Sequence, residues 1–334
     1  MILDFAQVQA VTLGAARIAQ QEDGIHFYRF TQEQEALYLE RSKDFYKKTF
    51  CTSGVQLRFR TDSRSLGLKA LANSGSSRRY YSIDVMVNGE MLGCLDNYSD
   101  VQMEKDYTTV QCPLGEVENM FTLGDGEKEV LITLPWSVEM ILQELSLDDG
   151  ASLVPVKPKY KMLCFGDSIT HGYDALRPTN KYITKLARAM DAEEHNKAIG
   201  GEIFFPALAN TRENFAPDYI TVAYGTNDWS KSERDVLIDN CKNFYANLSA
   251  TYPNAKIFAI TPVWRKDYTE YRKSGLFTLV EETIREATKD LSNVTVIRGF
   301  DFIPQDENYY ADLRLHPNDE GFEYYFQGLK KAIL

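Results

Sequence analysis

A serine, a histidine, an asparagine and two adjacent glycines stand in this sequence within short, polar, turn-forming segments. The first segment is Gly166-Asp167-Ser168-Ile169-Thr170-His171-Gly172. The second is Asn196-Lys197-Ala198-Ile199-Gly200-Gly201, and the third is Gly225-Thr226-Asn227-Asp228-Trp229. A fourth, Asp312-Leu313-Arg314-Leu315-His316-Pro317-Asn318-Asp319, lies near the C-terminus. Serine and histidine are residue types of nucleophilic and acid–base catalysis. Singly, each segment has a plainer reading. Asp167 and Ser168 suit a helix cap, Gly200-Gly201 a tight turn and Asn227 an Asx turn, and a lone histidine is more often structural. Taken in this order, with the first three at strand ends, the plainer readings no longer account for all four.

The elements that must position these segments follow from hydrophobic periodicity. Tyr160 to Phe165 reads as a short apolar strand, and Tyr182, Leu186 and Met190 recur at helical spacing. Tyr219 to Tyr224 is a strand, Val236 to Leu248 a helix and Ile257 to Thr261 a strand. Leu276, Val280, Ile284 and Ala287 make a helical stripe before the strand Val294 to Ile297. Strands alternating with helices predict a parallel sheet covered on both faces, with active groups collecting at the carboxyl ends of its strands. The first half has a different period. Val55, Leu57 and Phe59 alternate with polar neighbours, as do Tyr81, Ile83, Val85 and Val87 before the Asn88-Gly89 turn, a strong hairpin signal. Leu66 and Leu68, the turn Asp125-Gly126, and the runs Val130 to Leu134 and Ile141 to Leu147 complete the strand pattern. Little helical period is read there, and a β-sandwich is expected. The change falls between Asp148 and Pro158, where Pro155 and Pro158 suit a linker. The expected division is an all-β domain over 1–152 and an α/β domain over 153–334.

The four segments together resemble the SGNH hydrolases, the GDSL-type esterases and lipases. Their serine block corresponds to Gly166-Asp167-Ser168, their glycine block to the segment ending in Gly200-Gly201 (Gly201 the better match), their asparagine block to Gly225-Thr226-Asn227-Asp228, and their histidine block to His316-Pro317-Asn318-Asp319. The likeness covers residues 160–334. It implies a flavodoxin-like three-layer α/β/α fold. It also implies that Ser168 attacks an ester carbonyl, that His316 is the base, and that the N–H groups of Ser168 and Gly201 and the Asn227 amide receive the oxyanion. One departure stands out. The family places an aspartate three residues before the histidine, and Leu313 occupies that position here. Asp312, one residue further back, reaches the histidine only if the chain bends before His316. The alternative is a Ser168–His316 dyad with a backbone carbonyl on the histidine.

A jelly-roll-like sandwich ahead of such a domain is similar to the arrangement in two-domain sugar acetyl esterases, although a sandwich that only shields the catalytic half, or makes a homo-oligomer, fits equally well. Trp229, Tyr173, Trp264 and Phe204 are expected as an aromatic, apolar rim around the acyl site, suited to a sugar face or to an acyl chain. Deacetylation of carbohydrate is the favoured activity. A lipase, lysophospholipase or thioesterase on the same machinery, and a sugar-binding module with a decayed site, are the alternatives. A phosphatase or nuclease would need Asp167 and Asp228 as metal ligands, and no ligand spacing supports one.

Composition sets outer bounds. The 334 residues are 44% hydrophobic and 25% charged, with a net charge of −11 and no long basic run, which argues against nucleic acid as a partner. No stretch has the length of a membrane span, and the N-terminus lacks the pattern of a secretory signal. The five cysteines, Cys51, Cys94, Cys112, Cys164 and Cys241, show no CxxC spacing, so reduced thiols and a cytoplasmic protein are expected. Neither a metal nor a cofactor is called for. The expected partner is a small-molecule or oligosaccharide ester, with no membrane.

Overall fold

The computed structural model describes all 334 residues. In the front half, two antiparallel sheets are built from nine longer strands, with the two-residue strands Thr12–Leu13 and Val154–Pro155 added along Gln56–Thr61: β1 (Arg17–Gln21), β2 (Gly24–Tyr28), β3 (Gln56–Thr61), β4 (Ser65–Ser74), β5 (Ser82–Val87), β6 (Glu90–Asp96), β7 (Gly115–Thr122), β8 (Lys128–Thr133) and β9 (Val138–Leu147). One sheet runs β3-β8-β5-β6 and the other β1-β2-β9-β4-β7. Alternation decides which side chains face inward. In β3, Leu57, Phe59 and Thr61 are fully buried while their neighbours face out. Inward residues of both sheets, among them Leu57, Ile83 and Ile132 from one and Phe27, Leu68 and Leu142 from the other, meet in a single core. Asn88 and Gly89, both at positive φ, make the expected turn, with Val87 paired to Glu90.

Two expectations for this half are corrected. It contains three helices: α1 (Phe5–Val11), α2 (Gln32–Arg41) and α3 (Lys43–Thr49). The first two begin with capping boxes, Asp4 with Gln7 and Thr31 with Gln34, in which side chain and backbone at each helix start satisfy each other. The linker is not free either. Val154 and Pro155 pair with Arg60 and Phe59 at the β3 edge, where a proline's missing N–H costs no ladder bond.

The second half holds five parallel strands: β10 (Tyr160–Gly166), β11 (Ala192–Asn196), β12 (Tyr219–Ala223), β13 (Lys256–Ile260) and β14 (Val294–Ile297). Their spatial order is β11-β10-β12-β13-β14, the doubly wound order whose direction reverses between β10 and β12. Helices α4 (Tyr182–Ala189) and α7 (Asp319–Ile333) cover one face, and α5 (Arg234–Thr251) and α6 (Thr278–Thr288) the other. Met162 to Phe165 are buried without a break, as a central parallel strand covered on both faces requires. All five cysteines are free, four of them buried and Cys94 half-buried. No helix is long and apolar enough to cross a membrane.

The two halves share a core. Phe30 and Tyr38 pack into the apolar cluster of the parallel-sheet half. Arg29 is buried, and every hydrogen bond its guanidinium makes to the main chain ends on a carbonyl. Nε donates to Cys51 (2.5 Å) and Nη2 to Lys48 (3.0 Å), while Nη1 donates to Asn196 (2.7 Å) and Ala198 (3.2 Å). The last two carbonyls lie at the end of β11 and in the loop that follows it, so a front-half side chain shapes the approach to Gly200 and Gly201.

Candidate active site

Ser168 follows β10 at the start of a four-residue turn, Ser168–His171. The Asp167 carboxylate caps this turn by accepting from the Ile169 N–H at 3.0 Å. The residue is 5% exposed. Its Oγ lies 2.9 Å from Nε2 of His316.

His316 stands on an irregular segment before α7, and Asp312 organises that segment. Asp312 Oδ1 accepts the backbone N–H groups of Arg314 (3.0 Å), Leu315 (2.6 Å) and His316 (3.0 Å). Leu313 takes a positive φ of 54°, so the chain turns back on itself. The other oxygen, Oδ2, then meets His316 Nδ1 at 2.8 Å. A carboxylate four residues back thus reaches the ring, through the bend that the sequence required.

A second carboxylate reaches the same nitrogen. Asp174 Oδ2 lies 3.2 Å from His316 Nδ1, and Asp174 is fully buried. It is held from the front half. Arg78 donates through Nε to Oδ1 at 2.6 Å and through Nη2 to Oδ2 at 3.0 Å, and the Tyr80 hydroxyl donates to Oδ1. The Tyr107 hydroxyl donates to the Asp174 carbonyl at 2.6 Å. Sequence reasoning missed Asp174, Arg78 and Tyr80. Arg78 and Asp174 are 96 residues apart, and no local pattern joins them. The one trace in the chain is an acidic residue directly after the serine turn.

Charges around the ring follow from these contacts. Burial works against the imidazolium of His316. The Asp312 hydrogen bond and the negative charges of Asp174 and Asp312 outweigh it, with Arg78 opposing, and the His316 pKa is raised. Burial works against the Asp312 carboxylate as well, but the His316 bond and charge and the N–H groups of Leu315 and His316 hold it well below the carboxylate range. Burial pushes Asp167 up to about 6, against the Ile169 N–H and the charge of His316. Asp228, beside Asn227, is pushed up to about 7 by burial.

The glycine block is distinguished by its hydrogen bonds. Gly200 N–H donates to His171 Nδ1 at 3.2 Å, and His171 Nε2 meets the Trp136 carbonyl at 3.0 Å. A carbonyl only accepts, so Nε2 carries the proton. Burial, with Arg29, Lys181 and Lys48 nearby, keeps the His171 pKa well below its ordinary value, and the ring is neutral. The Gly200 N–H is therefore engaged, whereas the Gly201 N–H bonds no protein acceptor. Gly201 has a φ of 89°, and Lys231 Nζ donates to its carbonyl at 2.7 Å. Asn227 Nδ2 donates to the Glu202 carbonyl at 3.0 Å, which uses one amide hydrogen and leaves the other.

The expected aromatic rim is corrected. Trp229 is fully buried, edge-on to Phe277, with its indole N–H on the Gly275 carbonyl at 2.9 Å. Phe204 is packed among Tyr224, Phe244 and Tyr245. Trp264 is 7% exposed, against Tyr310 and Tyr268. These three build the core beneath the site. Only Tyr173 touches the linked residues, its ring stacked 5.7 Å from that of His316, and it too is buried. Large aromatics beside a motif serve the core as readily as a surface.

Asp174, Asp312 and His316 are also the one group of acidic and histidine side chains close enough together to hold a metal ion. Arg78 already brings a positive charge to Asp174, and three N–H groups engage Asp312 Oδ1. The cluster suits a hydrogen-bonded base better than a cation. A polarised hydroxyl, an oriented imidazole and unengaged N–H donors are what acyl transfer to serine requires.

Residues 164–324 match the GDSL-like lipase/acylhydrolase family. No curated protein matches the chain. Among solved structures, the salicylyl-acyltransferase SsfX3 from a tetracycline biosynthetic pathway is similar at 21% identity and a TM-score of 0.76, over 96% of this chain and 92% of that one. A family two carbohydrate esterase from Clostridium thermocellum is similar at 15% identity and 0.67, over 96% and 98%. An acetyl xylan esterase from the rumen bacterium Butyrivibrio proteoclasticus is similar at 14% and 0.64, over 100% and 97%. At these identities the likeness establishes a shared fold, and it extends over both halves.

Proposed function

We propose that the chain, whose residues 164–324 match the GDSL-like lipase/acylhydrolase family, is a carboxylic-ester hydrolase that removes short acyl groups, acetyl above all, from carbohydrate esters. A β-sandwich over 1–152 and a catalytic domain over 153–334 are the working parts. Ser168 Oγ attacks the ester carbonyl while His316 Nε2 takes its proton. The tetrahedral oxyanion is met by the N–H groups of Ser168 and Gly201 and by the Asn227 amide. Collapse expels the sugar alcohol, which receives the proton from His316, and leaves an acyl-serine. Water, deprotonated by the same histidine, then releases the acid and restores Ser168. Asp312 holds the imidazole with Nδ1–H inward and offsets its charge when protonated.

The observation that carries this reading is the unbroken chain from Ser168 Oγ through His316 to Asp312, at 2.9 and 2.8 Å. The carbohydrate preference is supported by the fold shared with the carbohydrate esterase and the acetyl xylan esterase. The test is the rate on p-nitrophenyl esters of increasing chain length, followed by acetylated xylo- and cello-oligosaccharides. A maximum at acetyl together with acetate release from the sugars is expected. An optimum at eight carbons or longer, with no acetate from any sugar, would favour a lipase or thioesterase.

A further inference from the structure

Asp174 is hard to explain as a structural residue. It is fully buried, it sits in the left-handed region at φ 72°, and its carboxylate touches an imidazole that already has an acceptor. Left-handed backbone is uncommon outside glycine, although aspartate tolerates it better than most residues. A buried carboxylate needs compensation, and Arg78 and Tyr80 of the front half supply it. An ion pair that only fastened the halves together would have no need to touch His316.

We propose that the front half belongs to the catalytic apparatus. Arg78, by clamping Asp174 against His316, acts as a positioning residue that sets the charge felt by the base. The inference rests on the reading of Ser168 and His316 as nucleophile and base.

The electrostatic argument is short. Two carboxylates meet at Nδ1, and their ligating oxygens and that nitrogen lie within 4.8 Å of one another. Like charges so close resist joint ionisation. Arg78 relieves this. Burial opposes its charge, but the hydrogen bonds and charge of Asp174 hold the guanidinium above its ordinary pKa. Arg78 sets a positive charge beside the two carboxylates at Nδ1. Two negative charges and one positive leave one net negative charge, which the imidazolium formed during attack cancels. Without Arg78 the excess negative charge would keep His316 protonated to higher pH, and a protonated histidine is no base. The other groups facing the ring fit this account. Ser168 occupies Nε2, the Tyr173 ring covers a face, Tyr80 acts through Asp174, and Asp167 contributes from behind the serine turn.

The test is the pH dependence of kcat/KM on p-nitrophenyl acetate for the wild type and for Arg78→Gln, Arg78→Lys and Asp174→Asn. Activity falls as pH drops through the folded-state pKa of His316. Asp174→Asn removes a negative charge, so its acid limb should move down by roughly one pH unit. Arg78→Gln removes a positive charge, so its limb should move up by about as much. Arg78→Lys keeps the charge and loses the two-pronged fork, so its limb should stay near the wild-type position while kcat falls. A purely structural pair would not shift the two limbs in opposite directions. Shifts of the same sign, or limbs of folded variants that stay in place, would overturn the proposal. So would a wild-type His316 titrating at or below about 6.5 by NMR, a measurement that stands even if a variant fails to fold. Ser168→Ala is measured alongside. If it is inactive while the limbs stay in place, only this inference fails. If it remains active, the functional reading fails and this inference with it.

Discussion

Ser168 is held by its immediate neighbours: the end of β10, the Asp167 cap and the turn to Gly172. His316, bonded to it, is held by a folded-back loop and, through Asp174, by side chains of the other half of the protein. The serine end is a local motif that any parallel sheet of this order could display. The histidine end is an assembly that exists only when distant parts of the chain are packed together. In the proposed mechanism, the role of Ser168 should therefore depend on chemistry alone, and that of His316 on both chemistry and architecture.

Ser168→Ala attacks the simple end and should have the largest effect. Loss of a nucleophile typically lowers kcat by about 10⁴-fold or more. Only a hydroxyl is removed, so the melting temperature should hold. A fluorophosphonate should label Ser168 in the wild type, and near wild-type turnover by the alanine variant would remove the basis of the comparison.

Asp312→Asn attacks the local support of the base. The amide oxygen can still accept the three backbone N–H groups, but its NH₂ would then face Nδ1 and favour the wrong tautomer. A loss in kcat on the order of 10²–10⁴-fold is expected. A loss of less than about threefold, well under 1 kcal/mol, would leave a Ser168–His316 dyad with Asp312 as a loop brace.

Asn227→Ala tests the oxyanion side, which lies outside either support. kcat should fall by roughly 10²–10³-fold with little change in KM. A raised KM with kcat unchanged would make Asn227 a ground-state binding residue.

Gly200→Ala sharpens the contrast, because it joins the two ends. A Cβ there would fall 2.5 Å from the ring and hydroxyl of Tyr173, whose ring lies against His316. Overpacking of this kind costs about 1–3 kcal/mol, readable by chemical denaturation. Unchanged stability would mean that Tyr173 gives way freely. The smallest expected effect is that of EDTA. Dialysis against it should leave activity intact, and recovery of lost activity by zinc or manganese would make the carboxylate pair at His316 a metal site.

The contrast also explains what the sequence revealed. The serine, glycine and asparagine blocks were legible because each sits at the end of a short apolar strand, and strand–helix alternation is a strong periodic signal. Asp312 was legible by position, but its reach was not. It depends on Leu313 adopting a positive φ, which nothing in a leucine announces. Arg78 left no trace and Asp174 only its place after the serine turn, since their pairing follows from how the halves pack. Helices α2 and α3 were missed although Thr31 and Gln34 have capping-box spacing, because strand alternation dominates the surrounding sequence. Trp229 and Phe204 were placed at a surface because their positions beside motifs are visible and their burial is not.

Arg29 bears on how this enzyme could be rearranged by gene fusion. Two of the carbonyls it caps, those of Asn196 and Ala198, lie at the end of β11 and in the loop that carries Gly200 and Gly201, while the guanidinium arrives from the other half. A chimera with a foreign sandwich would bury those carbonyls with no donor unless an arginine were transplanted to the same place. An unsatisfied buried carbonyl costs about 1–3 kcal/mol, a large share of the 5–15 kcal/mol or so that holds a typical domain together. The hydrolase half is not a portable cassette, and the junction between the halves should resist recombination more strongly than either core.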